Sequence, residues 1–295
     1  MAIWNLGSVN IDHVYRLPHL PEPGETLAAE SYAVGLGGKG ANQSVAAARG
    51  GAFVQHLGAI GRDGLWTLDR LRSFGVGCDA VAVGETPTGH AIISVDARAE
   101  NVIVLFPGAN RDFDFAAVAK ALEHAAPGDT LMLQNETAYQ VEAAQLAQAR
   151  GLRVVYSAAP FDATAVRAVL PYVTTLALNA VEAEQLTTAL GVTLEALPVA
   201  EVLVTRGAEG ADLYDLAAGT RLSQPSFPVK PVDTTAAGDT FAGYFVAARD
   251  SGASPQEALR LAAAAAAVKV TRAGAAEAIP VRVEVEAFLA TQEQA

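Results

Sequence analysis

Short apolar runs recur along this chain, and helical patterns fill the gaps between them. "AIWNLGS" (2–8), "TLMLQ" (130–134), "RVVYS" (153–157), "TTLALN" (174–179) and "EVLVT" (201–205) have the length of buried strands. Helical spacing appears at 113–125, 139–150, 162–169 and 181–190. Such alternation predicts a parallel sheet covered by helices on both faces. Beyond residue 205, "ADLYD" and "TRLSQP" predict a hairpin, followed by helices near 237–249, 255–270 and 281–290. Two segments break the alternation. The stretch 12–36 and "HAIISVDARAENVIVLF" (90–106), which reads as two strands around a polar turn, are expected to lie outside the main sheet. No repeat, linker or boundary divides the chain. One α/β domain over 1–295 with a small β appendage is the expected organisation.

Composition narrows the class. With 51% hydrophobic and 18% charged residues, the 295-residue chain can bury a substantial core. A formal net charge of −12 disfavours nucleic acid as a partner and requires any anionic substrate to be held by local groups. The single cysteine, Cys78, permits no intrachain disulfide and fits a reducing, cytoplasmic setting. Nothing near Cys78 marks a reactive thiol, so a plain packing or surface role is expected. "MAIWNLGSVNID" has no basic segment followed by a long apolar run, so no secretory signal is expected. "LRLAAAAAAVKV" (259–270) is short and interrupted by Arg260 and Lys269, which predicts a buried alanine-rich helix and no membrane partner.

"GLGGKGANQ" (35–43) is the first stretch with chemical content. A phosphate-binding P-loop requires glycine at position 33 and Ser or Thr after the lysine, but Ala33 and Gly40 stand there. A dinucleotide fingerprint must follow the first strand of a βαβ unit, and this one lies some 25 residues too late. Glycines that run into a helical pattern let the backbone approach a ligand closely. Lys39 and Asn42 then offer donors at a helix entrance, suited to a polyol or sugar; the alternative is a tight turn with a solvated lysine.

"PVDTTAAGDTFAGYFVAA" (231–248) is the second. Small residues, Thr234 to Gly238, precede a strong helical pattern whose free N–H groups and dipole attract an anion. Asp239 in the first turn is either a dipole-complementing carboxylate or a general base beside that anion site. "LNAVEAEQL" sets Asn179 and Glu182 at i,i+3, an arrangement that suits water-mediated Mg²⁺ or simply a solvated face.

"GSVNID", "LPEPGET", "GGKGANQ", "PGAN", "LQNE", "NAVE", "VTRGAEG" and "DTTAAGDTF", in this order over almost the whole chain, resemble the ribokinase-like (PfkB) carbohydrate kinase family. The resemblance implies a three-layer α/β/α sandwich with a small β-sheet lid formed by about 12–36 and 90–106, pairing into a homodimer through the lid. It implies ATP-dependent transfer of phosphate to a sugar hydroxyl, with D-ribose the expected acceptor; another sugar, a sugar acid or a nucleoside is the alternative. A catalytically silent sugar-binding protein on the same fold is the further alternative. Asn10, Asp12, Gly38, Lys39, Asn42 and Glu136 match sugar-binding positions. Asp239 matches the catalytic base, and Ala236, Ala237 and Gly238 the anion hole. Asn179, Thr205, Gly207, Gly210 and Gly238 match nucleotide positions, and Glu182 the position that organises Mg²⁺ through water. Asp233 and Thr235, with the backbones of Lys269, Arg272 and Gly274, match ligands of an activating K⁺. Two residues depart from the pattern. Ala278 replaces a serine of the cation site, and Ala263 replaces a polar residue near the adenine.

Overall fold

The computed structural model describes residues 1–98 and 100–292. Residue 99 of the expected 90–106 hairpin and the last three positions of the expected 1–295 domain lie outside the described residues. Among the described residues the main sheet has nine strands. In chain order these are β1 (Ala2–Leu6), β4 (Phe53–Gly61), β5 (Val76–Gly84), β8 (Thr130–Gln134), β9 (Arg153–Ser157), β10 (Thr175–Asn179), β11 (Glu201–Thr205), β12 (Ala211–Asp215) and β13 (Thr220–Gln224). Their spatial order is β13-β12-β11-β10-β9-β8-β1-β4-β5. The strands from β11 across to β5 pair in parallel, while the expected hairpin β12–β13 adds an antiparallel edge.

Side chains alternate across the central strands and feed two cores. Ile3 and Met132 point to one face, where they join α1 (Lys39–Arg49), α2 (Leu65–Ser73), α7 (Ala237–Asp250) and α8 (Pro255–Val270). Leu6, Leu131 and Leu133 point to the other, against α3 (Phe115–Leu122), α4 (Gln140–Ala149), α5 (Ala163–Val169) and α6 (Ala180–Leu190). The layers are therefore α/β/α, as expected. Helix α3 starts two residues later than the predicted 113–125, because Asp114 caps it by accepting from the Ala116 N–H, and it ends at Leu122. The last helix, α9, is Arg282–Gln292. Cys78 is a buried core residue whose thiol burial pushes up to about 11, which suits the packing role.

The segments outside the alternation form a second, four-stranded sheet, as expected. Its strands are β2 (Asn10–Arg16), β3 (Ser31–Gly37), β6 (Gly89–Val95) and β7 (Asn101–Phe106), in the order β3-β2-β6-β7. Strand β2 follows β1 after three residues, and β3 ends one residue before α1. Both connections thus converge on the C-terminal edge of the main sheet, where open α/β sheets bind ligands.

Two close backbone approaches fix this corner. A Cβ on Gly40 would lie 2.3 Å from the Gly7 Cα, so the first turn of α1 abuts the end of β1. A Cβ on Gly243 would lie 2.5 Å from Ala46 Cβ, so α7 packs directly against α1. Replacing Gly40 by alanine should therefore destabilise the fold by ~1–3 kcal/mol, the range for overpacking a rigid contact. Gly35→Ala, where nothing lies within 4 Å, should leave stability unchanged. Urea unfolding of both variants checks this; equal midpoints would show that α1 shifts freely from β1.

Candidate active site

Helix α1 begins at Gly38, whose φ of 94° turns the chain into the helix against Ser8. The Lys39 N–H donates to Glu136 Oε2 at 3.1 Å, the Ser8 hydroxyl donates to the same oxygen, and the Gly40 N–H donates to Ser8 Oγ at 3.2 Å. Glu136, just beyond β8, is thereby locked to the entrance of α1. Asn10 at the start of β2 is set by Asn110, whose amide donates to Asn10 Oδ1 at 2.8 Å. Asp12 lies over Gly37, where a Cβ would meet its carboxylate at 2.2 Å. Burial, then the charges of Glu136 and Glu277, raise Asp12 to about 7.

Asp239 stands in the first turn of α7. That helix has no side-chain cap, and Ala236 before it takes φ 57°, a left-handed conformation that costs a non-glycine residue on the order of 1–2 kcal/mol. Its first N–H groups have no helical partner and suit an anion, although that of Ala237 bonds the Thr234 carbonyl at 3.2 Å. Two amides of α1 hold the Asp239 carboxylate: Asn42 donates to Oδ2 at 3.1 Å and Gln43 to Oδ1 at 3.0 Å. The second amide is itself supported. Gln134 donates to Gln43 Oε1 at 2.8 Å and to Asn5 Oδ1 at 2.9 Å. Asn5 donates to Ser44 Oγ at 2.8 Å, and Ser44 lies 2.8 Å from His56 Nδ1. His56 Nε2 lies 3.0 Å from the Gly7 carbonyl, which can only accept, so Nε2 carries the proton and Nδ1 accepts from Ser44. Complete burial lowers His56 to about 4 and keeps it neutral.

Lys39 sits among carboxylates. The charge of Asp239, then those of Glu136 and Glu182, holds its ammonium above the ordinary range against the opposing effect of burial. Burial and the nearby Asp239 charge raise Glu182. Asn179 and Glu182 form a capping box at α6: Asn179 Oδ1 accepts from the Glu182 N–H, and Glu182 Oε2 from the Asn179 N–H, each at 2.8 Å. Thr205 pairs with Asn179 at the adjoining strand end. Gly207 opens a tight turn at φ 56°. Gly210 closes it, and a Cβ there would strike the Gln224 carbonyl at 2.1 Å, so close packing against β13 accounts for this glycine.

The residues expected around K⁺ also come together. Asp233 accepts the Thr235 N–H at Oδ1 and the Gly274 N–H at Oδ2, each at 2.9 Å. Although burial works against it, these bonds and the Lys269 charge lower Asp233. Lys269, expected to act through its backbone, sends its ammonium to the Asp233 carbonyl at 2.9 Å. Its own carbonyl accepts the Arg272 N–H at 3.0 Å, and the Arg272 guanidinium pairs with Glu284 at 2.6 Å. Ala278 and Ala263 are buried methyl groups.

Sequence reasoning did not single out Gln43, Gln134, Ser8 or Asn110, although each adjoins a quoted motif residue. Two cavities of about 270 and 700 Å³ are lined by none of these residues. A carboxylate at an uncapped helix N-terminus, held by two amides of a second helix, is an arrangement that suits a phosphotransferase with an alcohol acceptor. The model of the pfkB family of carbohydrate kinases matches residues 3–282. The chain belongs to that family. It is 39% identical to the ribokinase of Haemophilus influenzae over 96% of this chain and 97% of that protein. It superposes on a ribokinase from Thermotoga maritima with a TM-score of 0.88, at 35% identity over 98% of this chain and 99% of the other. A ribokinase from Arabidopsis thaliana, complexed with ribose and ATP, superposes with a TM-score of 0.85 at 29% identity, over 98% of this chain and 99% of the other.

The raised Asp12 gives a pH signature. A carboxyl whose folded value, about 7, exceeds its unfolded value of 3.8 contributes stability below 3.8 that is lost as pH rises through 7. Asp12→Asn should therefore gain stability relative to the parent as pH rises from about 4 to 8. Urea unfolding across that range checks it; a difference independent of pH would show that Asp12 titrates normally.

Proposed function

We propose that this chain is a ribokinase, transferring the γ-phosphate of ATP to O5 of D-ribose. The observation that carries the reading is the bond from Asn42, in the sugar loop, to Asp239, at the phosphate-facing helix end. Asn42 Oδ1 is buried and has no partner among the described residues, so a sugar hydroxyl would complete it. The Arabidopsis relative binds ribose and ATP, which supports the same pair here. Asn10, Asp12, Lys39 and Glu136 supply further groups for sugar hydroxyls.

In this reading Asp239 takes the proton of the attacking hydroxyl, while Asn42 and Gln43 keep its oxygens aimed. The Gly238 N–H, with the dipole of α7, faces the charge that develops on the transferred group, while the Ala237 N–H, which bonds the Thr234 carbonyl at 3.2 Å, would have to turn from it to join. Asn179, Thr205 and Gly207 would line the nucleotide. No group of three or more His, Cys, Asp or Glu side chains among the described residues could hold a metal ion. That fits Mg²⁺, which is bound largely by phosphates and water. When bound with ATP it would neutralise phosphate charge, held through water by Glu182, whose raised carboxyl a cation would relieve. Of the oxygens expected around K⁺, the Asp233 carboxylate and the Lys269 carbonyl accept N–H groups, and no role for K⁺ is assigned in this reading. No helix among the described residues is long and apolar enough to cross a membrane. A cytoplasmic setting accords with ATP as substrate and with Cys78 as a buried thiol.

An ADP-release assay over sugars, sugar acids and nucleosides should place ribose first; a better acceptor would overturn ribose and leave the kinase intact. In the same assay Asp239→Asn should lower kcat by ~10² to 10⁴ while largely sparing sugar affinity. Near-normal turnover would make Asp239 a mere dipole partner, and no turnover with any acceptor would favour the silent protein.

The lid carries a second element of this reading. Strand β7 is a sheet edge, and Val102, Ile103, Val104, Leu105 and Phe106 are between 44% and 60% exposed. An apolar edge open on both faces invites pairing, and a second copy of the lid is the occupant we propose. Light scattering should give a dimer, and Val104→Lys a monomer that stays folded. A monomeric parent at micromolar concentration would exclude the pairing.

A further inference from the structure

We propose that the Lys269 ammonium is a built-in replacement for the exchangeable monovalent cation that the family resemblance leads one to expect, so that this chain works without one. Lys269 lies in the last turn of α8 and is 0% exposed. A buried ammonium must find acceptors. Its acceptor is the Asp233 carbonyl at 2.9 Å, three residues before the left-handed Ala236 that starts the phosphate-facing helix. The negative end of α8 favours a cation at this place.

The junction around it is closed by N–H donors. The Val232 and Asp233 N–H groups bond the Val270 carbonyl, at 2.7 and 3.1 Å. Gly274 and Thr235 take the two Asp233 carboxylate oxygens. A free cation would need several of these oxygens turned toward one point. Here the carbonyl faces an ammonium, the carboxylate faces two N–H groups, and at 278 a buried methyl stands where an oxygen was expected. Three of the oxygens expected around K⁺ are thus taken or missing: the Asp233 carboxylate, the Lys269 carbonyl and position 278. The junction fits a cation attached to the chain, which braces the 271–278 turn against the loop at 233–236 as a bound ion would.

The inference rests on the kinase reading only for its rate measurement; melting temperature reports cation binding without it. Both are followed against KCl, with N-methylglucamine chloride holding ionic strength constant. For the unaltered protein, rate and melting temperature should not change with K⁺. Lys269→Ala opens a space without a charge and should melt lower, with K⁺ raising both its melting temperature and, about ten-fold, its rate. Ala278→Ser added to it should lower the K⁺ concentration required. Lys269→Met keeps the apolar stem and fills the space, so it should lose activity that K⁺ cannot restore. A K⁺-dependent rate or melting temperature in the unaltered protein overturns the proposal. So does a folded Lys269→Ala that ignores K⁺. If Lys269→Ala does not fold, a fully active Lys269→Met does the same, since the charge would then be dispensable.

Discussion

Asp239 is held by two amides from a different helix, and the arrangement of the site depends on that contact. A lone carboxylate at a helix N-terminus could swing toward the nearest free N–H. Here Asn42 and Gln43 take one oxygen each, so the carboxylate has a fixed plane. The contact exists because Gly243 lets α7 press against α1 and Gly40 lets α1 press against β1. Behind it runs a chain of side chains with a set direction. The Gly7 carbonyl fixes the proton on His56, His56 fixes the Ser44 hydroxyl, and Ser44 and Gly40 fix the orientation of Asn5. Asn5 then orients Gln134, and Gln134 orients Gln43. Each link in a buried network is costly to leave unmade, so the whole line turns together or not at all.

Electrostatically the site is a cation inside a ring of acids. Lys39 is surrounded by the fields of Asp239, Glu136 and Glu182, on a chain of formal charge −12. Such a protein gives a phosphate ester no long-range attraction. In the kinase reading, binding an anion would come from short-range donors, the helix end and Lys39, and residues 234–238, between Asp233 and Asp239, are small and uncharged. The raised Asp12 and Glu182 show what crowding carboxylates costs.

Much of this was legible from residue patterns, for identifiable reasons. Strands β8 to β11 are short uninterrupted apolar runs and β1 nearly so, and they stand out. The segment from β4 to β5 did not, because Gln55 and His56 interrupt one strand and Gly77 and Asp79 the other. His56 makes sense only with Ser44 and Gly7 beside it. Asn42 and Asp239 could be picked out as residues at helix starts. Gln43, Gln134 and Asn110 could not, since their meaning lies in partners about 90 to 200 positions away. The i,i+3 spacing of Asn179 and Glu182 has a local cause in the capping box, whatever else Glu182 does.

The lid's connections to the main sheet have one more consequence. Strand β2 leaves β1 through Gly7, Ser8 and Val9, and β3 returns to α1 through Gly38 alone. The residues that would grip the acceptor, Asn10 and Asp12 on one side and Lys39 on the other, flank these two joints. These two joints adjoin the recognition surface, while the small sheet's other two connections, at 85–88 and 107–114, lie on its β6–β7 side. In the kinase reading, a swing of the small sheet would spread the acceptor's contacts apart, and an acceptor that gathers them would draw the sheet down. On that reading lid angle and acceptor occupancy would move as one coordinate.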